Sequence, residues 1–134
     1  MQVERLDFIT IATRDRDRSR VWYRDMLGLA PDPNNPDELT AGQVTLAFWD
    51  PTSDGLEFQP SIGGFALRVP DVEAARQELE AKGVEFVGSD DSGVCHMAFF
   101  KDPDGNSLAI HRRYAPPRPE GMSHAESREL AARS

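Results

Sequence analysis

The sequence contains a single cysteine, Cys95, among its 134 residues. No intramolecular disulfide can form, and this cysteine usage is typical of a reducing compartment. No apolar run approaches the ~20 residues that a membrane-spanning helix needs. The charged residues 1–7 lack the apolar core of a signal peptide. We therefore expect a cytoplasmic protein without a membrane partner.

Basic residues are also scarce, because 15 Lys and Arg stand against 23 Asp and Glu, and the net charge is −8. Binding to a phosphate backbone needs a positively charged face, so we do not expect nucleic acid as a partner. The apolar fraction of 39% and the charged fraction of 28% are ordinary for a globular protein. A chain of this length fits one domain that can bury a sizeable core.

What the sequence does contain is an internal repeat. In each half, a strand pattern leads to an aspartate that can cap a helix, then to a glycine that can end it, then to further strands. Phe8 corresponds to Gly64 and Asp15 corresponds to Asp71, at the same spacing along the chain. Chance similarity is the alternative explanation.

The second informative feature is the sequence Asp-Pro-Asp-Gly-Asn at residues 102–106, which predicts a tight hairpin turn. Flanked by residues 98–100 and 107–110, it resembles the last hairpin of the vicinal-oxygen-chelate superfamily, which includes glyoxalases, bleomycin-resistance proteins and extradiol dioxygenases. The opening of the chain, with Asp15, Trp22-Tyr23-Arg24-Asp25 and Leu27-Gly28-Leu29, is similar to the same family. Residues 66–83 resemble the start of its second module.

The resemblance covers roughly residues 5–113 and implies an α+β fold. Two βαβββ modules would form a curved mixed sheet, a cup, with the helices outside. We expect one domain over residues 1–115, with module one at 5–60 and module two at 61–113. The resemblance also implies a homodimer.

The C-terminal tail, residues 116–134, is set apart by its prolines. Prolines between residues 115 and 121 do not favour a regular element. Ser123 and Glu126 form a capping-box pattern, so a short helix could begin there and continue through Ala132.

The resemblance implies a divalent metal in the cup, held by His, Gln or Glu on the first strand of each module and by Glu on a last strand. The corresponding residues here are Phe8, Gly64 and Ala109. None of them offers a side-chain O, N or S donor. We therefore expect the metal-free branch of the family and no cofactor; a metal could bind only at a non-standard site.

His96 and His111 are the residues that could still perform chemistry. His111 shares strand parity with Ala109, so the two are expected on one face. With a turn roughly symmetric about Asp104, we expect Ala98 near Ala109. His96 would then lie beside His111 in the cup, although a slip of one residue would turn one histidine away. The pair could be ordinary strand residues, ligand-binding or catalytic acid–base groups, or metal ligands with a third donor from Asp7, Glu57 or Glu85.

The remaining candidate residues suit an organic ligand. Small side chains would leave room in the cup, aromatic side chains could form a wall, and Arg68 could meet an anionic group. Core packing explains the aromatic residues equally well, and an exposed strand end explains Arg68. Cys95 is expected to be a small buried hydrophobe rather than a nucleophile. The predicted ligand-binding residues are Phe8, Thr10, Phe48, Trp49, Phe58, Gly64, Ala66, Arg68, Ala98 and Ala109.

Three functions remain open at this point. The first is a metal-free protein that binds a small aromatic or hydrophobic molecule, as the drug-resistance members of the family do. The second is a lyase, isomerase or dioxygenase of the same superfamily that uses His96 and His111 as metal ligands or acid–base groups. The third is a structural or regulatory partner protein with a vestigial cup.

Overall fold

The computed structural model describes residues 1–115 and six positions of the tail, namely 121, 123, 125, 126, 129 and 132. The predicted tail helix therefore lies largely outside the described residues, although Ser123 and Glu126 exchange both capping-box hydrogen bonds. The elements within the described residues are β1 (Phe8–Ala12), α1 (Arg16–Leu27), β2 (Ala30–Pro31), β3 (Leu39–Ala41), β4 (Val44–Trp49), a 3₁₀ helix (Pro51–Asp54), β5 (Phe65–Arg68), α2 (Val72–Ala81), β6 (Phe86–Asp91), β7 (Cys95–Lys101) and β8 (Ser107–Arg113).

The chain divides into two compact units. The first comprises Met1–Gly64 with Lys101–Ser107, and the second comprises Phe65–Phe100 with Leu108–Ser134. The first sheet has the strand order β1-β4-β3-β2, and the second has the order β5-β8-β7-β6. In each sheet the first strand runs parallel to its neighbour, and the pairs β2–β3, β3–β4 and β6–β7 are antiparallel. This shared order confirms the predicted α+β fold of two βαβββ modules.

Both helices begin at the residues that the sequence indicates. The Asp15 carboxylate accepts a hydrogen bond from the Arg18 N–H, and the Asp71 carboxylate accepts one from the Ala74 N–H, each over 3.0 Å. Gly28 ends α1 in the left-handed conformation, with φ of 70°. Among the described residues, no helix is both long enough and apolar enough to cross a membrane.

Alternation along β1 and β4 gives the first sheet a helix-facing side and an open side. Ile11 lies opposite Phe48 in the parallel pair, and both are buried. The Phe48 ring contacts the ring of Tyr23 on α1, with centroids 5.3 Å apart. Phe8 and Thr10 point to the other side and are exposed. The core of this unit therefore lies between α1 and one side of the sheet.

The second sheet is organised in the same way. Phe86 lies opposite Phe100, and their rings are 5.2 Å apart. The Arg76 guanidinium of α2 lies over the Phe86 ring at 5.3 Å, which identifies this side as the helix-facing one. Residues of the opposite parity along these strands form the open side.

Candidate functional site

The hairpin of β7 and β8 is centred on Asp104. In the second unit, the Tyr114 N–H donates to the Val94 carbonyl over 3.0 Å, so these residues lie directly opposite each other. The hydrogen bond from the Asp102 N–H to the Asn106 carbonyl, also 3.0 Å, fits the same register. In each of these two pairs, both residues are the same number of positions from Asp104 along the sequence. The residues of β7 and β8 between the two pairs are therefore matched in the same way.

This register separates the two histidines. His111 lies opposite Met97 on the open side, whereas His96 lies opposite Arg112 on the helix-facing side. The prediction that His96 lies beside His111 is therefore wrong. Its register was displaced by one residue, because it paired residues that are not equidistant from Asp104. A displacement of one reverses every side chain of the strand.

Two of the small residues are also placed differently from the prediction. Ala98 shares parity with Phe100 on the helix-facing side and is only 1% exposed, so it belongs to the core. Gly64 has φ of 65°, and a Cβ at this position would lie 2.1 Å from the Ser107 carbonyl oxygen. The glycine is explained by this close approach of two backbone segments rather than by space for a ligand.

The open side of the second sheet carries two rows of side chains that run across the strands. The first row is Arg68, His111, Met97 and Asp90, and the second is Ala66, Ala109, Phe99 and Gly88. Ala109 is buried at the floor, while Met97, Phe99 and His111 are half-buried. The face thus combines small and apolar residues with charged groups at its two edges.

The open side of the first sheet is a second candidate surface. Phe8 is 55% exposed, and Thr10 and Trp49 share its face. The Trp49 indole N–H donates to the Asp54 carboxylate over 2.7 Å, which holds the ring at the strand end. Phe48, predicted for the same wall, points to the opposite side of this sheet.

Phe58, the fourth predicted wall residue, lies in the loop before β5 in the same unit. The Arg14 guanidinium covers its ring, 4.0 Å from the centroid. A cleft of about 730 Å³ within this unit is lined by Phe8, Ala47 and Phe48 and by charged residues from the start of α1. Of the four predicted wall residues, only Phe8 and Trp49 lie on the same open side of the first sheet.

The turn between β7 and β8 is held by a buried hydrogen-bond network in the first unit. The Asp102 carboxylate accepts hydrogen bonds from the Tyr23 hydroxyl over 2.5 Å, and from the backbone N–H groups of Asp104 and Asn106 over 2.9 Å. The Asn106 side-chain amide donates to the same carboxylate over 2.8 Å. Burial, and next the charge of Asp102, raises the pKa of the Tyr23 phenol far above its ordinary value.

The second carboxylate of the turn, Asp104, attaches it to the start of α1. It accepts hydrogen bonds from the Thr13 hydroxyl and the Arg18 guanidinium, each over 2.6 Å, and from the Arg14 N–H over 3.1 Å. Burial pushes the pKa of Asp104 up, but these hydrogen bonds and the Arg18 charge outweigh burial and leave the pKa below its ordinary value of 3.8.

Asp104→Asn is expected to lower the free energy of unfolding by about 2 kcal/mol at pH 7, because charge-assisted hydrogen bonds are lost. Because the pKa of Asp104 is lower in the folded protein than in the unfolded chain, its ionised form stabilises the fold at pH values above the unfolded-state pKa. This stabilisation is lost as the pH falls through the folded-state pKa. The difference between wild type and variant should therefore shrink below about pH 4. Urea unfolding at a series of pH values measures it.

Asp17→Asn, at an exposed position of α1, is the control and should leave the pH profile unchanged. A difference between Asp104→Asn and wild type that stays constant from pH 7 to pH 3 would show that the ionised form of Asp104 is not what stabilises the turn.

The metal ligands that the family resemblance implies do not fit this chain. Phe8, Gly64 and Ala109 have no side-chain donor atom, and divalent metals need O, N or S ligands. Within the described part of the chain, no cluster of three or more His, Cys, Asp or Glu side chains could hold a metal ion.

Comparison with known proteins identifies the family. The model of the Glyoxalase/Bleomycin resistance protein/Dioxygenase superfamily matches residues 5–110, which is most of the chain. The chain belongs to this superfamily. No curated protein gives a significant match to the sequence, so the superfamily assignment does not extend to a particular activity.

Several solved structures share the fold. Lactoylglutathione lyase from Agrobacterium tumefaciens gives a TM-score of 0.70 at 17% identity, covering 83% of this chain and 95% of that chain. A superfamily member from Sphaerobacter thermophilus DSM 20745 gives 0.67 at 21%, covering 81% and 97%. An antibiotic-binding protein from Streptomyces sp. CB03234 gives 0.66 at 20%, covering 84% and 98%. At these identities the likeness establishes the fold alone.

Sequence reasoning missed Met97, Phe99 and Asp90, which share the open side with Arg68 and His111. The signal that could have found them is the three-residue loop between Asp102 and Asn106, since a loop of this length with a positive-φ glycine at its third position fixes the register.

Proposed function

We propose that this superfamily member is a binding protein that holds a small aromatic or hydrophobic molecule on the open side of the second sheet, without a metal triad. The observation that carries the proposal is the replacement of all three expected metal ligands by Phe8, Gly64 and Ala109. The open sides also combine small residues with aromatic ones, which suits an apolar ligand. The fold likeness to an antibiotic-binding protein is consistent with this role.

The separation of the two histidines argues against the enzymatic alternative in its original form. His96 and His111 lie on opposite sides of the second sheet, so one site on that sheet cannot use both as metal ligands or as an acid–base pair. His111 remains a predicted contact for the ligand. No observation favours a reaction over binding.

We expect Ala66→Leu to weaken binding of aromatic ligands at least tenfold, because the larger side chain fills the open side of the second sheet. Ala66 is exposed, so the variant should keep its fold and melting temperature. Ligands are first found by the rise in melting temperature across a library of aromatic compounds. Titration calorimetry then measures their affinity for wild type and variant.

Ala81→Leu, also exposed but at the end of α2, is the matched control and should bind as wild type does. The proposal fails if no library compound raises the melting temperature. It also fails if stoichiometric metal survives dialysis of the wild type and is absent from His111→Ala.

A cytoplasmic location and a homodimer complete the proposal. The single cysteine supports the first, and the family resemblance supports the second. Sedimentation velocity at micromolar concentration tests the dimer, and a monomer under these conditions would exclude it.

A further inference from the structure

Arg68 and His111 lie side by side at one edge of the open side of the second sheet. They are partners in the parallel register of β5 and β8, and Arg68 is exposed. Neighbouring strands are about 4.8 Å apart, so one small acidic group could reach both side chains. The guanidinium and the imidazole together offer several hydrogen-bond donors, and the guanidinium has the planar geometry that a carboxylate matches.

Arg68 is one of several basic residues that have no acidic partner within the described part of the chain. Among the described basic residues, Arg5, Arg18, Arg20, Arg24, Arg76 and Lys82 each lie within 4.0 Å of a carboxylate, whereas Arg14, Arg16, Lys101, Arg112 and Arg113, like Arg68, do not. Arg68 differs from these other arginines in its place beside His111 on the open side. In the part of the chain that the structure describes, Arg68 forms no ion pair or side-chain hydrogen bond. In a protein with 23 acidic and 15 basic residues, a positive group left open on a ligand-sized surface fits an anionic ligand by charge complementarity.

The floor next to this edge is small and apolar. Ala66 and Ala109 lie on the same two strands as Arg68 and His111, and Phe99 follows on β7. Two adjacent alanines leave a flat area about two strands wide, roughly 10 Å. A planar ring could lie over them against the edge of Phe99, within reach of the Met97 thioether, and both groups interact favourably with aromatic rings.

Asp90 sets the direction of the ligand. It is at the far end of the Arg68 row, three strands away, at about 14 Å. A carboxylate near Asp90 would be repelled, while one near Arg68 would be attracted. The charges along the row therefore favour one orientation, with the acidic group over β5 and β8 and the ring over the alanines.

We propose that the open side of the second sheet binds a planar aromatic carboxylate, with its acidic group on Arg68 and His111 and its ring on Ala66, Ala109 and Phe99. This inference rests on the proposed function, because it names the ligand class of the same surface. It adds that recognition is ionic as well as apolar and that Arg68 determines it.

The test compares 2-naphthoate with 2-naphthamide, which have the same ring and differ in charge. By titration calorimetry at low ionic strength, we expect 2-naphthoate to bind wild type at least tenfold more tightly than 2-naphthamide. Arg68→Gln should remove this preference and leave the affinity for 2-naphthamide unchanged. Arg112→Gln, an arginine of β8 on the helix-facing side, should keep the preference.

The outcomes separate the two proposals. If both probes bind wild type equally well, the carboxylate inference is overturned and the proposed binding function stands. If the preference for 2-naphthoate survives in Arg68→Gln, the assignment to Arg68 is overturned. If neither probe binds, the inference and the proposed function fail together for planar aromatic ligands. Circular dichroism melts of both variants verify that each is folded.

Discussion

Asp102→Ala is expected to lower the free energy of unfolding by about 3–5 kcal/mol, because it leaves several buried donors without an acceptor. Asp102 is only 5% exposed. Its carboxylate accepts hydrogen bonds from one hydroxyl, two backbone N–H groups and one side-chain amide. The alanine side chain can accept none of these. Since whole domains have unfolding free energies of roughly 5–15 kcal/mol, this single change removes a large fraction. Urea unfolding followed by circular dichroism measures it.

Asp71→Ala is the matched control. The Asp71 carboxylate also accepts a hydrogen bond from a backbone N–H, but Asp71 is exposed and its carboxylate serves only to cap α2. Its expected cost is about 1 kcal/mol. Tyr23→Phe removes one donor of the network while keeping the ring, so it should fall between the two. If Asp102→Ala costs no more than Asp71→Ala, the turn network does not stabilise this unit.

The network illustrates what the sequence could and could not predict. The turn itself was predictable, because Pro103 and Gly105 favour it locally. The partner of Asp102 was not, because Tyr23 lies 79 residues earlier in the sequence. A turn motif gives the backbone conformation of a few residues, whereas the fate of its carboxylates depends on which element packs against them.

The register of the last hairpin shows a different limit. Strand parity alone placed His111 with Ala109 correctly relative to each other, because alternation is a local property. Placing His96 required the exact centre of the hairpin, and an error of one residue reversed its side. The fold prediction was unaffected by this error, since both registers give the same strand order. The predicted histidine pair depended on the register and was wrong.

The residues of the open side of the second sheet were predicted only in part. Ala66, Arg68 and Ala109, which the sequence analysis named as ligand-binding candidates, share a face through the parallel pairing of β5 and β8. Met97 and Phe99 join them only through the antiparallel register. Their roles, like that of Arg68, are still predictions that the naphthoate experiment tests.

Gly64→Ala is expected to lower the free energy of unfolding by about 2–5 kcal/mol, the sum of two costs. An L-residue at φ of 65° pays about 1–2 kcal/mol for the left-handed conformation. The new Cβ would also lie 2.1 Å from the carbonyl oxygen of Ser107, a backbone atom that cannot rotate away. The hydrogen bond from the Ser107 N–H to the Ser61 carbonyl, 2.9 Å long, holds this segment in place, so relieving the overlap adds about 1–3 kcal/mol.

Gly42→Ala separates these two costs, because Gly42 has nearly the same φ, 61°, and no described atom beyond its own chain neighbours lies within 4 Å of the Cβ position. It should therefore show the conformational cost alone, about 1–2 kcal/mol. The difference between the two variants, measured by urea unfolding, reports the approach of Ser107 to Gly64. Equal costs would mean that this approach is not tight, and that the glycine is needed only for its backbone angle. In that case Gly64 would again be open to the ligand-binding role that its small size first indicated.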